Sequence, residues 1–303
     1  MNIIGHDKIT NLLNRSITRG IISHAYLFSG PEHVGKFTVA LDFAERLAGG
    51  SAEMNPDLII IKPEVDPARN ATHSVAGGEK KGIIKKTDIK IEQVRDLAHK
   101  LSLMPAGGKY KVAIIDDADR LNKAAQNALL KTLEEPSDKI VLILISRDDK
   151  KMLPTILSRC QRVKFSPVSR EELEKNIPAG EKNKEAVIFW SLGRPGLMLN
   201  LAKDSREIDF RENAAAELKI LLNKSLAEKL AIAETLGKDT REAARKLNLW
   251  MVILRENLLG RGVFGQSQKK CFGIIENIEK SLELIKETNS NTRLILENLF
   301  LHF

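Results

Sequence analysis

An apolar segment, Ala25 to Phe28, runs into the string GPEHVGKF at residues 30 to 37 and then into a helical stretch beginning at Thr38. A strand that turns through glycines into a helix points backbone N–H groups at the loop's hollow. The helix N-terminus adds positive potential there, which suits bound phosphate. Gly30 and Gly35 fit the tight turn, and Lys36 fits the cation that reaches terminal phosphates. This spacing arises by chance in about one chain in ten of this length. The segments around it therefore decide its meaning.

Four further short apolar runs follow, at Leu58 to Ile61, Lys111 to Ile115, Val141 to Ile145 and Arg162 to Phe165. Several are apolar at nearly every position, as expected for strands buried on both faces of a parallel sheet. Helical patterns between them predict an α/β layer fold, and the glycine loop after the first strand makes it an α/β fold of the P-loop NTPase kind. The third strand reads KVAIIDD and ends in acids. In P-loop NTPases such a strand sets an aspartate beside Mg²⁺. Asp116 is the candidate for that ion, and Asp117 stands at the position that orients the attacking water. The plain reading, a strand stopped by solvated acids, loses weight once the loop is present as well.

The loop departs from its pattern at Phe37, where a hydroxyl would coordinate Mg²⁺. Thr38 is one residue late, and a helix turns about 100° per residue, so its hydroxyl is expected to point elsewhere. ATP or ADP binding, with Mg²⁺, is expected to be weak or vestigial, and hydrolysis poor.

The segment Lys62 to Asp88 is rich in Lys, Gly and Pro and reads as an exposed insertion. After Phe165 the strand signals end, and Ser169 with Glu172 offers a capping-box start to a helix. From about Arg206 onward the pattern is helical throughout. Leu247, Trp250, Met251, Leu254 and Leu258 recur at helical spacing, as do Ile274, Ile278, Leu282 and Ile285. These are core positions of a helical bundle. The pattern divides the chain into an α/β part at 1–166, a small helical segment at 167–205 and a helical bundle at 206–303.

The net charge of +8 is compatible with phosphate-rich partners without naming one. The lysine pairs at 80–81, 85–86, 150–151 and 269–270 read as solvated surface, and no aromatic residues interleave with them to build a stacking groove for single strands. Two cysteines far apart, Cys160 and Cys271, make neither a disulfide framework nor a cysteine zinc site. No apolar run is long enough for a bilayer, and the first residues lack a secretory pattern. A cytoplasmic protein without membrane contact is expected.

The run ADRLNKAAQNALLKTLEEP at 118–136, followed by LPTILSRCQ at 153–161, resembles the signature of bacterial clamp-loader subunits of the AAA+ class. With IIGHDKI, SHAYLFSGP and NSNTRLILENL, the resemblance extends over essentially the whole chain and is nearest to the delta-prime type of DNA polymerase III. It implies an ATPase-fold domain at 1–166, a small helical lid at 167–205 and a helical C-terminal collar at 206–303, in a subunit of a ring with tau/gamma and delta subunits that acts on a sliding clamp and primed DNA. It also implies that Arg159, in the SRC block, serves as an arginine finger toward nucleotide held by a neighbour, and that Ser146 falls near the sensor 1 position, with Arg147 as the other alignment. Gly196 stands where active members carry a lid arginine, and Arg194 is nearby without filling that slot. Ala48 to Pro56 holds no cysteine where many relatives have a four-cysteine zinc module, so no zinc is expected. The main expectation is a stator subunit with an ATPase fold but little activity of its own. The other is an active ATPase motor of the tau/gamma type.

Overall fold

Successive residues of the central strands point to opposite layers, and both layers are apolar. The structure, a computed structural model, describes residues 2–64, 87–107, 109–136, 139–260, 268–287 and 291–303. Five parallel strands, β1 (Ala25–Ser29), β2 (Leu58–Ile61), β3 (Lys111–Ile115), β4 (Ile140–Ser146) and β5 (Gln161–Lys164), lie in the order β2-β3-β4-β1-β5. The five apolar runs of the sequence are these strands, with ends shifted by a residue at most. Most of the Lys62 to Asp88 insertion, including the lysine pairs at 80–81 and 85–86, lies outside the described residues.

On one face, Tyr26, Phe28, Val112, Ile114, Val141, Ile143 and Ile145 pack with α1 (Asp7–Arg19) and α2 (Lys36–Ala48), through Leu13, Val39, Phe43 and Leu47. On the other, Ala25, Leu27, Ala113, Ile115, Leu142 and Leu144 meet α3 (Ile91–Ser102) and α4 (Lys123–Glu134), through Val94, Leu97, Leu129 and Leu133. This two-sided cover is why β1 and β3 are buried at every residue while edge strand β5 buries only Val163. Each fully buried Leu or Phe contributes roughly 1.5 to 3 kcal/mol by leaving water. The C-terminal ends of β1, β3 and β4 are thereby fixed side by side, and their loops inherit that rigidity.

The chain divides into two compact units, Met1–Ala202 and Lys203–Phe303. Helices α5 (Pro154–Leu157), α6 (Arg170–Asn176), α7 (Lys184–Ser191) and α8 (Pro195–Leu201) belong to the first. Ser169 caps α6 by accepting from the Glu172 N–H at 3.3 Å.

The second unit contains α9 (Ser205–Leu221), α10 (Leu226–Leu236), α11 (Thr240–Leu258), α12 (Gln268–Glu287) and α13 (Thr292–Phe300). Leu247, Trp250 and Leu254 of α11 are buried, as are Ile274, Ile278 and Leu282 of α12, whereas Met251, Leu258 and Ile285 are half-buried. The Trp250 indole N–H donates to the Ala214 carbonyl at 2.8 Å, and its ring meets Phe300 and Phe303. A polar edge is thus satisfied inside an aromatic core. No helix among the described residues is long and apolar enough to cross a membrane.

Candidate functional site

The loop leaves β1 at Gly30, whose φ of 144° and close approach to β5 both require glycine. A Cβ there would lie 2.3 Å from the Phe165 carbonyl oxygen. Gly35, at φ 105°, turns the chain into α2, which begins at Lys36 rather than at Thr38. The loop is held from outside as well. The His6 Nε2–H donates to the Val34 carbonyl at 2.8 Å, and the Gly196 N–H, in the first turn of α8, donates to the His33 carbonyl at 2.8 Å. Gly196 is also close-packed, since a Cβ there would stand 3.0 Å from the His33 oxygen.

Lys36 is buried, and its ammonium donates to the carbonyls of Gly30 and Pro31, both at 2.6 Å. Burial holds its pKa below the ordinary lysine value, and the carboxylates of Glu32, Asp116, Asp117 and Asp119 work against that shift. The lysine therefore braces the loop from within. Phe37 is half-buried against the core layer of α1 and α2, with the Lys62 ammonium 4.1 Å from its ring centroid. Thr38, the other hydroxyl candidate, is half-buried in the first turn of α2.

The acids emerge at the end of β3. Asp116 closes the strand by donating its N–H to the Ile61 carbonyl at 2.9 Å, and its Oδ1 accepts from the Asp117 N–H at 3.1 Å. Asp117 adopts the left-handed region at φ 52° and starts a single 3-10 turn, Ala118–Arg120. Ser146, the last residue of β4, is fully buried. Its Oγ accepts from the Asp148 N–H at 3.1 Å and its carbonyl from the Gly30 N–H at 3.3 Å. Gly30, Gly35, Lys36, Asp116, Asp117 and Ser146 are thus gathered at the C-terminal edge of the sheet.

Arginine enters this group at the next residue. The Arg147 Nη1 lies 2.6 Å from Glu32 Oε1, and its Nε lies 3.5 Å from Asp119 Oδ2 and 3.7 Å from Asp117 Oδ1. Of its carboxylate partners, Glu32 and Asp119 are not candidates from the sequence motifs. The available signals were an acid inside a loop of phosphate-binding pattern, which is a charge conflict, and a third acid just beyond the strand end.

Arg159 stands apart from this group. It follows α5, donates from Nη1 to the Thr155 carbonyl at 3.0 Å and pairs through Nη2 with Glu134 of α4 at 2.9 Å, keeping about 35% of its side chain exposed. Beside it, burial pushes the Cys160 thiol up to about 11.

A parallel sheet in this order, with a glycine loop after β1 and acids after β3, is an AAA+-like P-loop fold. The chain belongs to the DNA polymerase III delta subunit family, whose model matches residues 5–169. The tau subunit of DNA polymerase III from Bacillus subtilis is 32% identical over 177 residues, covering 57% of this chain and 30% of that protein. The tau subunit from Escherichia coli is 31% identical over 189 residues, covering 58% and 27%. The chain thus spans less than a third of the length of these tau subunits. The gamma subunit from Buchnera aphidicola is 26% identical over 325 residues, covering 97% and 86%. In overall fold the chain is similar to a DNA polymerase III gamma subunit-related protein of Thermotoga maritima, with a TM-score of 0.50 at 20% identity over 98% of this chain and 97% of that one.

Proposed function

We propose that this chain is the delta-prime-type stator of a bacterial clamp loader, an ATPase-fold subunit that contributes to a neighbour's chemistry and turns over little nucleotide itself. The observation that carries this reading is Phe37, an aromatic ring packed on the core and covered by Lys62 at the position of the Mg²⁺-binding hydroxyl. Lys36, already committed to two loop carbonyls, points the same way. In this reading residues 167–205 act as the lid and 206–303 as the collar that joins tau/gamma and delta subunits. The assembled ring would act on the sliding clamp and primed DNA in the cytoplasm.

Arg159 is the residue offered to the neighbouring subunit's nucleotide. Its Glu134 partner is itself half-exposed. A pair of that kind is worth about 0 to 1 kcal/mol, so exchanging a carboxylate for a phosphate costs little. A planar guanidinium can donate to two phosphate oxygens at once.

The second reading is an active motor of the tau/gamma type, favoured by the identity to tau subunits and by the convergence of Lys36, Asp116 and Asp117 on one loop. One experiment separates the two. The purified chain is mixed with tau/gamma and delta subunits, the complex is isolated, and nucleotide bound and hydrolysed is measured for chain and complex. A stator joins the ring and adds little hydrolysis of its own. A chain that hydrolyses ATP by itself is a motor, and one that never joins is neither.

A further inference from the structure

Arg147 is placed where two segments of opposite role meet. Its backbone N–H donates to Asp119 Oδ1 at 3.1 Å, so the residue is fixed to the turn beyond β3 before its side chain begins. The side chain then passes Asp119 and Asp117 and reaches Glu32 in the phosphate loop. Its Nε is buried and makes no hydrogen bond, so that end is held by the field of the two aspartates. Asp119 keeps only 2% of its side chain exposed and Asp117 only 12%. Two nearly buried carboxylates of like charge need a cation close by.

We propose that Arg147 is that cation, a built-in substitute for a divalent metal that also bolts the phosphate loop, through Glu32, to the acids at the end of β3. The inference deepens the non-motor reading and rests on it for its meaning. A permanently charged guanidinium offsets part of the aspartates' charge in every state of the protein, so an incoming metal meets a site that is already partly compensated. The link to Glu32 holds the loop in the conformation in which Lys36 is folded beneath it.

The test uses Mn²⁺ alone, followed by electron paramagnetic resonance, together with hydrogen exchange of residues 32–36 on the full chain. Arg147→Ser is expected to bind Mn²⁺ on the order of tenfold more tightly than the wild type and to exchange faster in the loop. Arg147→Lys keeps a charge and is expected to stay close to the wild type in Mn²⁺ affinity. If Arg147→Ser does not fold, Glu32→Gln cuts the loop end of the link alone and should speed exchange in the loop with little gain in Mn²⁺. Equal Mn²⁺ affinity in wild type and Arg147→Ser, or unchanged loop exchange in the variant that breaks the Glu32 link, overturns the proposal. Because the chain is tested by itself, a subunit that gains Mn²⁺ on losing Arg147 but never joins a ring sinks the stator reading alone.

Discussion

Phe37 and Lys62 lie against each other, the ammonium 4.1 Å from the ring centroid, at the loop position that a metal-binding hydroxyl would occupy. An exposed contact of this kind contributes about 0.5 to 1 kcal/mol, enough to bias the ring's placement. The chain alone is therefore expected to release phosphate from ATP no faster than its Lys36→Ala variant. Steady-state phosphate release measures this, and robust turnover lost in Lys36→Ala would contradict it.

Arg159→Ala should leave the subunit folded, because the lost pair with Glu134 is partly exposed. In an assembled ring it should lower ATP hydrolysis. Arginine fingers contribute on the order of 10³ to 10⁵ in some GTPases, and intact sites elsewhere in a ring would dilute the observed loss. Arg159→Lys should rescue only in part, since lysine lacks the planar fork. Matched complexes, checked by size-exclusion chromatography, give the comparison, and equal rates reject the finger.

Trp250→Phe keeps an aromatic ring in the core of the second unit but removes the indole donor to the Ala214 carbonyl. That carbonyl still accepts the helical N–H four residues on within α9, so the loss is one net hydrogen bond, about 0.5 to 1.5 kcal/mol, to which the smaller ring adds lost packing. Urea unfolding followed by circular dichroism should show a lower midpoint. An unchanged midpoint would show that the indole hydrogen bond adds no net stability.

With its thiol pushed up to about 11 from an ordinary 9.0, Cys160 should alkylate slowly at pH 8 in the native protein and readily once denaturant unfolds it. The folded state holds the proton more tightly, so between these values the unfolded chain binds fewer protons and stability falls as pH rises. Below about pH 9 this contribution is constant. Iodoacetamide labelling followed by peptide mass analysis reads the site. Rapid native labelling of Cys160 at pH 8 would show that the thiol is not desolvated.

The five strands were legible because burial on both faces leaves an unbroken apolar run such as Val112 to Ile115, and the loop because glycines at 30 and 35 have few other uses between a strand and a helix. The departure at Phe37 was legible because one residue type cannot do another's chemistry. The partners of Arg147 were not. Glu32 and Arg147 are 115 residues apart, and only the parallel order of β1 beside β4 brings them together. The folding back of Lys36 was equally hidden, since the same lysine in the same string can reach outward to phosphate or inward to its own loop's carbonyls.

The hydrogen bond from Gly196 to His33 ties the glycine loop to the first turn of α8. Helix α8 meets the loop across a gap one glycine wide, so a shift of the loop toward α8 has nowhere to go without pushing the helix. A Cβ at 196 would crowd the His33 oxygen at 3.0 Å, so the helix or the loop would have to yield slightly to admit it. The start of α8 and the loop are thereby held at one fixed spacing.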